Sequence, residues 1–223
     1  MLCSPINEAL ATLKTSDPNS VSGKPLDQLE NLFKLTRERS GGFGQFLHEL
    51  LLTDFWNSNN YPDNPYPKLC LELGSQVELF NSQLKPSEPA YHSRKHFQDV
   101  CISITALLNQ ANVGAFTTDD PWTISNKEAW ILLFCAIAHD FGHNGSTNQF
   151  PFELEKVSIE KVRAFLKQSS TNQALQTELL TIAEPVILAT DPSFLGTLLG
   201  QFTNPLAKPT KTDCLSMLMV EAD

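Results

Sequence analysis

Residues Ser125 to His143 read SNKEAWILLFCAIAHDFGH. Ser125 followed three residues later by Glu128 is a capping box, in which each side chain can satisfy an orphan amide of a helix's first turn. A helix should therefore start near Asn126. It should run through Trp130, Phe134 and Ile137 to His139 and Asp140, where Gly142 and the Asn144-Gly145 pair supply a stop. The apolar stretch Ala129 to Ala138 is too short to span a bilayer. It reads as a helix buried on all sides. A buried helix that ends in His-Asp, with a second His three residues on, is the feature that needs a reason, and a metal centre supplies one.

Outward from this stretch the helical period recurs. Apolar residues fall at Leu29, Leu32 and Phe33, at Phe43, Phe46, Leu47, Leu50 and Leu51, and at Cys70, Leu73, Val77, Phe80 and Leu84. Later come Leu154, Val157, Val162 and Phe165, then Leu175, Leu179, Ile182 and Val186, and last Leu215, Leu218, Met219 and Ala222. No alternating strand pattern stands out, so the fold class is all-α. Pro185 should kink or interrupt its helix. The Asn- and Pro-rich NSNNYPDNPYP is a loop, expected to separate an N-terminal helical part from the rest, and PLAKPTKTD is a short basic one. There is no internal repeat or low-complexity tract. Residues 1–85 are expected to form a helical cap and residues 86–223 the chemical core, the whole making one compact domain.

Composition narrows the function. Sixteen Lys and Arg against 25 Asp and Glu give a net charge of −9, which repels a nucleic-acid backbone. Five cysteines, odd in number and never in a C-x-x-C clip, point to free thiols in a reducing compartment, with cytoplasm as the default. The N-terminus MLCSPINEALATLK has neither a basic leader nor a continuous apolar region, so neither a signal peptide nor membrane attachment is expected.

Four of the five histidines form two pairs at i, i+4, His92 with His96 and His139 with His143, and on a helix such pairs face the same way. Asp99, Asp140 and Glu155 lie close by in sequence. Imidazoles and carboxylates without a thiolate suit a hydrolytic zinc, iron, manganese or magnesium centre better than a closed structural zinc. His48 stands outside the pairs and reads as an ordinary packed or surface residue. Asp99 and Asp191, taken alone, could equally be helix caps or solvated charges.

YHSRKHFQDV and HDFGHNGSTNQF resemble the two signature segments of the class I cyclic nucleotide phosphodiesterases, members of the wider HD superfamily of metal-dependent phosphohydrolases. VILATD (186–191) and MLMVEAD (217–223) are similar to two further family segments, and the four occur in family order over about residues 85–223. The resemblance implies an HD-type multi-helix bundle with the metal site between helices. It implies that His96, His139, Asp140 and Asp223 hold a tight first metal, zinc or iron, with Asp140 bridging to a second, magnesium or manganese. His143 and Glu155 would act at the second metal through its waters, and His92 would be the general acid. Asp99, Asn148 and Asp191 would support the ligands. The substrate would be a small phosphate ester, cyclic AMP or cyclic GMP, hydrolysed to the 5'-monophosphate. Two alternatives remain at this stage: an HD phosphohydrolase of another phosphate ester, and a degenerate bundle kept as a metal-stabilised interaction module.

The chain also departs from the family pattern. Gly142 stands where the family usually has Asp, Asn144 where it has Pro, and Val157 and Ser158 replace paired histidines expected after Glu155. The loop between the dyad and that helix is much shorter. The family's base-gripping Gln and aromatic clamp fall beyond Asp223, so a longer parent protein is expected.

Overall fold

The computed structural model describes residues 2–15, 24–39, 41–84, 93–111, 113–114 and 120–223. In chain order the elements are α1 (Cys3–Thr15), α2 (Lys24–Arg39), α3 (Phe43–Leu51), α4 (Asp54–Ser58), α5 (Tyr66–Gln83), α6 (Arg94–Gln110), β1 (Val113–Gly114), β2 (Ile124–Ser125), α7 (Asn126–Ala138), α8 (Glu153–Gln168), α9 (Gln173–Leu188), α10 (Leu195–Thr203) and α11 (Lys211–Ala222). The fold is all-α. The single exception among the described residues is a two-residue parallel pairing of β1 with β2, which leads into the first turn of α7.

The helix expected from near Asn126 to Asp140 is the axle of the bundle. Ser125 Oγ accepts from the Glu128 N–H and the Glu128 carboxylate accepts from the Ser125 N–H, so both halves of the expected capping box form. Every residue from Ala129 to Ala138 is buried, because α5, α6, α9 and α11 surround α7. The helix closes at Ala138, one to two residues before the expected end. His139 caps it in helical conformation, and tight turns then follow, Phe141 N–H to Ala138 O at 2.9 Å and His143 N–H to Asp140 O at 2.9 Å. These turns point successive side chains in different directions at one place, and Gly142 makes them possible with φ of +97°.

The N-terminal helices pack onto this axle. α1 and α2 lie on α6 and on each other, and α3 lies between α5 and α6. Trp56 of α4 packs on Trp130 of α7 with ring centroids 4.6 Å apart and donates to Thr105 of α6 at 3.2 Å. Trp130 donates to the Asn59 carbonyl at 3.0 Å, so the Asn- and Pro-rich loop is fastened to α7. One hydrophobic cluster runs from Leu2 to Ala222.

Two local expectations change. α9 runs unbroken through Pro185 to Leu188, so the proline does not interrupt it. Buried Leu179, Ala183, Val186 and Ile187 hold the helix against the loss of one amide donor. On α8, Val157 falls on the apolar helical period but is 39% exposed, while Ser158 is buried and donates to the Leu154 carbonyl at 3.3 Å. A hydroxyl that bonds its own preceding turn can occupy a core position that hydrophobic period alone overlooks.

Replacing Ser125 by Ala should lower the unfolding free energy by about 1 kcal/mol, as loss of an N-cap does. Urea unfolding checks this, and an unchanged midpoint would mean that α7 does not depend on its capping box.

Candidate metal centre

Three helices bring four side chains together, two carboxylates around one pair of imidazole nitrogens. His96 sits in the first turn of α6, His139 and Asp140 follow the end of α7, and Asp223 caps α11, where its N–H bonds the Met219 carbonyl at 3.0 Å. The His96 and His139 Nε2 atoms are 3.2 Å apart. Asp140 Oδ2 lies 3.4 Å from the first and 3.3 Å from the second. Asp223 Oδ1 lies 3.1 Å and 3.4 Å from the same two nitrogens. Ligands about 2.0–2.1 Å from one ion stand about 3.4 Å apart in a tetrahedron and about 2.9 Å apart at adjacent octahedral corners. The five separations that involve an imidazole nitrogen fall between these limits, and His96, His139 and Asp140 bring one donor atom each within 4.8 Å of one another.

The ring orientation fits the same reading. His139 Nδ1 donates to the Ala136 carbonyl at 3.0 Å, which leaves Nε2 as the lone-pair nitrogen of a neutral ring. Phe97, fully buried, places its ring 5.6 Å from that of His139 and walls the site with apolar surface. Burial disfavours charge on both histidines, but their carboxylate partners outweigh it. Hydrogen bonds to Asp140 and Asp223 raise the pKa of His96, and the charges of the same two groups raise that of His139 further. Burial pushes Asp223 upward as well, yet the charge of His139 and hydrogen bonds from both imidazoles hold it far below the usual carboxylate range. The cluster therefore has a strong affinity for positive charge, which protons or a divalent cation can meet.

Beside it lies a second polar knot. The Asn148 amide donates to both oxygens of Glu155, at 3.2 and 3.0 Å, and to Asp191 Oδ2 at 3.1 Å, while its oxygen accepts from the Leu154 N–H at 2.8 Å. Asp191, nearly fully buried, also accepts from the Ser193 N–H at 2.7 Å and from the Phe152 N–H. Burial works against its charge, but these donors lower its pKa. Phe152 pays for that bond with a left-handed backbone, φ 64°, and its ring rests on Phe194. Glu155 behaves oppositely: burial raises its pKa, and the carboxylates of Asp191 and Asp140 raise it more. The charges of Asp191 and Asp140 thus favour a cation or a proton at Glu155. His143 is buried, and its Nδ1 accepts from the Gly145 N–H at 3.0 Å.

Asp99 is held by Arg37 of α2, with Nε to Oδ1 at 3.1 Å and a second bond from Nη2 to Oδ2. His92 lies outside the described residues. His48 is exposed on α3.

Residues 91–223 match the family of the 3'5'-cyclic nucleotide phosphodiesterases. The chain belongs to that family. It is a phosphoric diester hydrolase of the cyclic nucleotide class, and the enzymes of this family use divalent metals. None of the curated proteins matches the chain.

Two of the chain's departures from the family pattern meet in space. A Cβ at Gly142 would lie 3.2 Å from Lys161 Cγ and 3.3 Å from Val157 Cγ1, on top of a backbone conformation that side chains avoid. Glycine at 142 therefore sits where a side chain would press on Val157 and Lys161 of α8. No helix among the described residues is by itself long and apolar enough to cross a membrane.

The raised histidine pKa values set the sign of a pH test. In metal-free protein the stabilisation from the imidazolium–carboxylate pairs is full below about pH 6.5 and is lost as pH rises through the folded-state values. Metal requires deprotonated ligands, so its stabilisation grows over the same range. Urea midpoints between pH 6 and 9 should fall with pH in chelator and rise with pH in zinc. Two parallel curves would contradict the pairing.

Proposed function

We propose that this phosphodiesterase hydrolyses a 3',5'-cyclic nucleotide, cyclic AMP or cyclic GMP, to the nucleoside 5'-monophosphate at a two-metal centre. The observation that carries this reading is that Asp140 and Asp223 each place one oxygen within 3.1–3.4 Å of both the His96 and His139 Nε2 atoms, which are 3.2 Å apart. His96, His139, Asp140 and Asp223 would hold the tight ion, zinc or iron. Asp140 would also face the second, magnesium or manganese, whose waters His143 and Glu155 would orient. When bound, the ions supply a hydroxide nucleophile at neutral pH and offset the charge of the phosphate.

The chain's own groups do the rest. Asn148 presents Glu155 in a fixed orientation while Asp191 anchors Asn148 from behind. Phe97 keeps the imidazoles dry, which strengthens every electrostatic interaction among them. His92, four residues before His96 in the signature segment, would donate the proton that the leaving ribose oxygen requires. Ser158 and Val157 supply no imidazole behind Glu155, so orientation there rests on Asn148.

All of these groups lie within residues 86–223, which supports treating that part as the catalytic core and residues 1–85 as a cap sharing its hydrophobic core. A cytoplasmic location is part of the proposal and is supported by five thiols, none in a disulfide.

The test is 31P NMR of the metal-loaded protein with each cyclic nucleotide. Wild type should yield 5'-monophosphate. His96→Ala should lose both bound metal and turnover. His92→Ala should retain metal while turnover falls by about 10²- to 10⁴-fold, the range for a general acid. Turnover of another phosphate ester alone would move the substrate assignment, and equal activity of both variants would end the mechanism.

A further inference from the structure

We infer that Arg37 is a positioning residue for the metal centre: it captures the carboxylate of Asp99 and keeps it from becoming a third acidic partner of the His96 site. The inference rests on the metal-centre reading above. His96 and Asp99 are three residues apart on α6, hence on one face and one turn from each other. Asp99 is shielded, with its side chain 15% exposed, and burial keeps its pKa above the usual carboxylate range despite the facing guanidinium. A shielded carboxylate this close to the ligands has two ways to find positive charge. One is the imidazole of His96, charged or bound to an ion; the other is Arg37.

The geometry selects the second. Arg37 reaches across from α2 with two donors, Nε and Nη2, one to each oxygen of Asp99. A bidentate guanidinium fixes both the direction and the plane of a carboxylate, which a lysine cannot do. α2 itself is seated on α6, so the clamp is delivered by packing as well as by charge. The N-terminal helices thereby acquire a role in the reaction: they set the number of carboxylates at the metal centre at two, Asp140 and Asp223, and they hold the helix that carries His96. Arg37 and Asp99 are 62 residues apart in the chain, so neither residue points to the other in the sequence.

Cobalt(II) binding tests this without turnover, because the absorption spectrum of the cobalt-loaded protein reports the ligands of the tight site. Three variants are compared with wild type: Arg37→Ala, Arg37→Lys and the double variant Arg37→Ala with Asp99→Asn, each checked by far-UV circular dichroism for an intact fold. Arg37→Ala should change the cobalt spectrum and lower kcat about 10-fold, the lower end of the effect of lost outer partners, with KM within about 2-fold. Arg37→Lys should fall between. The double variant should return the spectrum, because the released carboxylate is gone. A spectrum and kcat unchanged in Arg37→Ala would overturn the inference. So would a double variant whose spectrum is as altered as that of the single one, since that would make the pair a structural staple only. If cobalt binds at the His96 site in every variant but no cyclic nucleotide is hydrolysed, the substrate assignment fails while the spectra still decide the role of Arg37.

Discussion

The structure turns on two imidazole nitrogens held 3.2 Å apart in a dry place. One proton between the two nitrogens makes a hydrogen bond, whereas two bare nitrogens would aim lone pairs at each other and two charged rings would repel. The last two states need a positive centre between the rings or acids around them. Asp140 and Asp223 supply the acids, and the whole bundle is arranged to bring them there. α7 must be buried along its length to carry His139 inward, α6 must begin close by to present His96, and α11 must end at the same point to deliver Asp223.

Burial and chemistry are therefore the same problem in this protein. The apolar shell that excludes water from Phe97, His139 and their neighbours makes each ion pair stronger and each unpaired charge more costly. Secondary contacts answer that cost one group at a time. Ala136 takes the outer proton of His139, Asn148 spans Glu155 and Asp191, Arg37 takes Asp99, and the Phe152 backbone accepts strain to feed Asp191.

What could be read from the sequence was what is local. The capping box at Ser125 and Glu128, the apolar run and the His-Asp dyad sit within one short stretch, and period and turn chemistry place them correctly. The all-α class follows from the same period repeated along the chain. The family resemblance, carried by four ordered segments over about residues 85–223, agrees with the family match over residues 91–223. What could not be read was pairwise and distant. Arg37 with Asp99, Asn148 with Asp191 and Gly142 with Val157 depend on how helices dock, and docking leaves no fixed spacing. The unbroken helix at Pro185 and the exposure of Val157 have a related reason, because tertiary packing overrides the preference of the single residue.

The most direct test of the central claim is anomalous diffraction at the metal absorption edge from crystals of the zinc-loaded protein. A peak about 2.0–2.1 Å from His96 Nε2, His139 Nε2 and one oxygen each of Asp140 and Asp223 is the predicted result. A peak bound elsewhere, or none at this point with the metal in excess, would contradict the account.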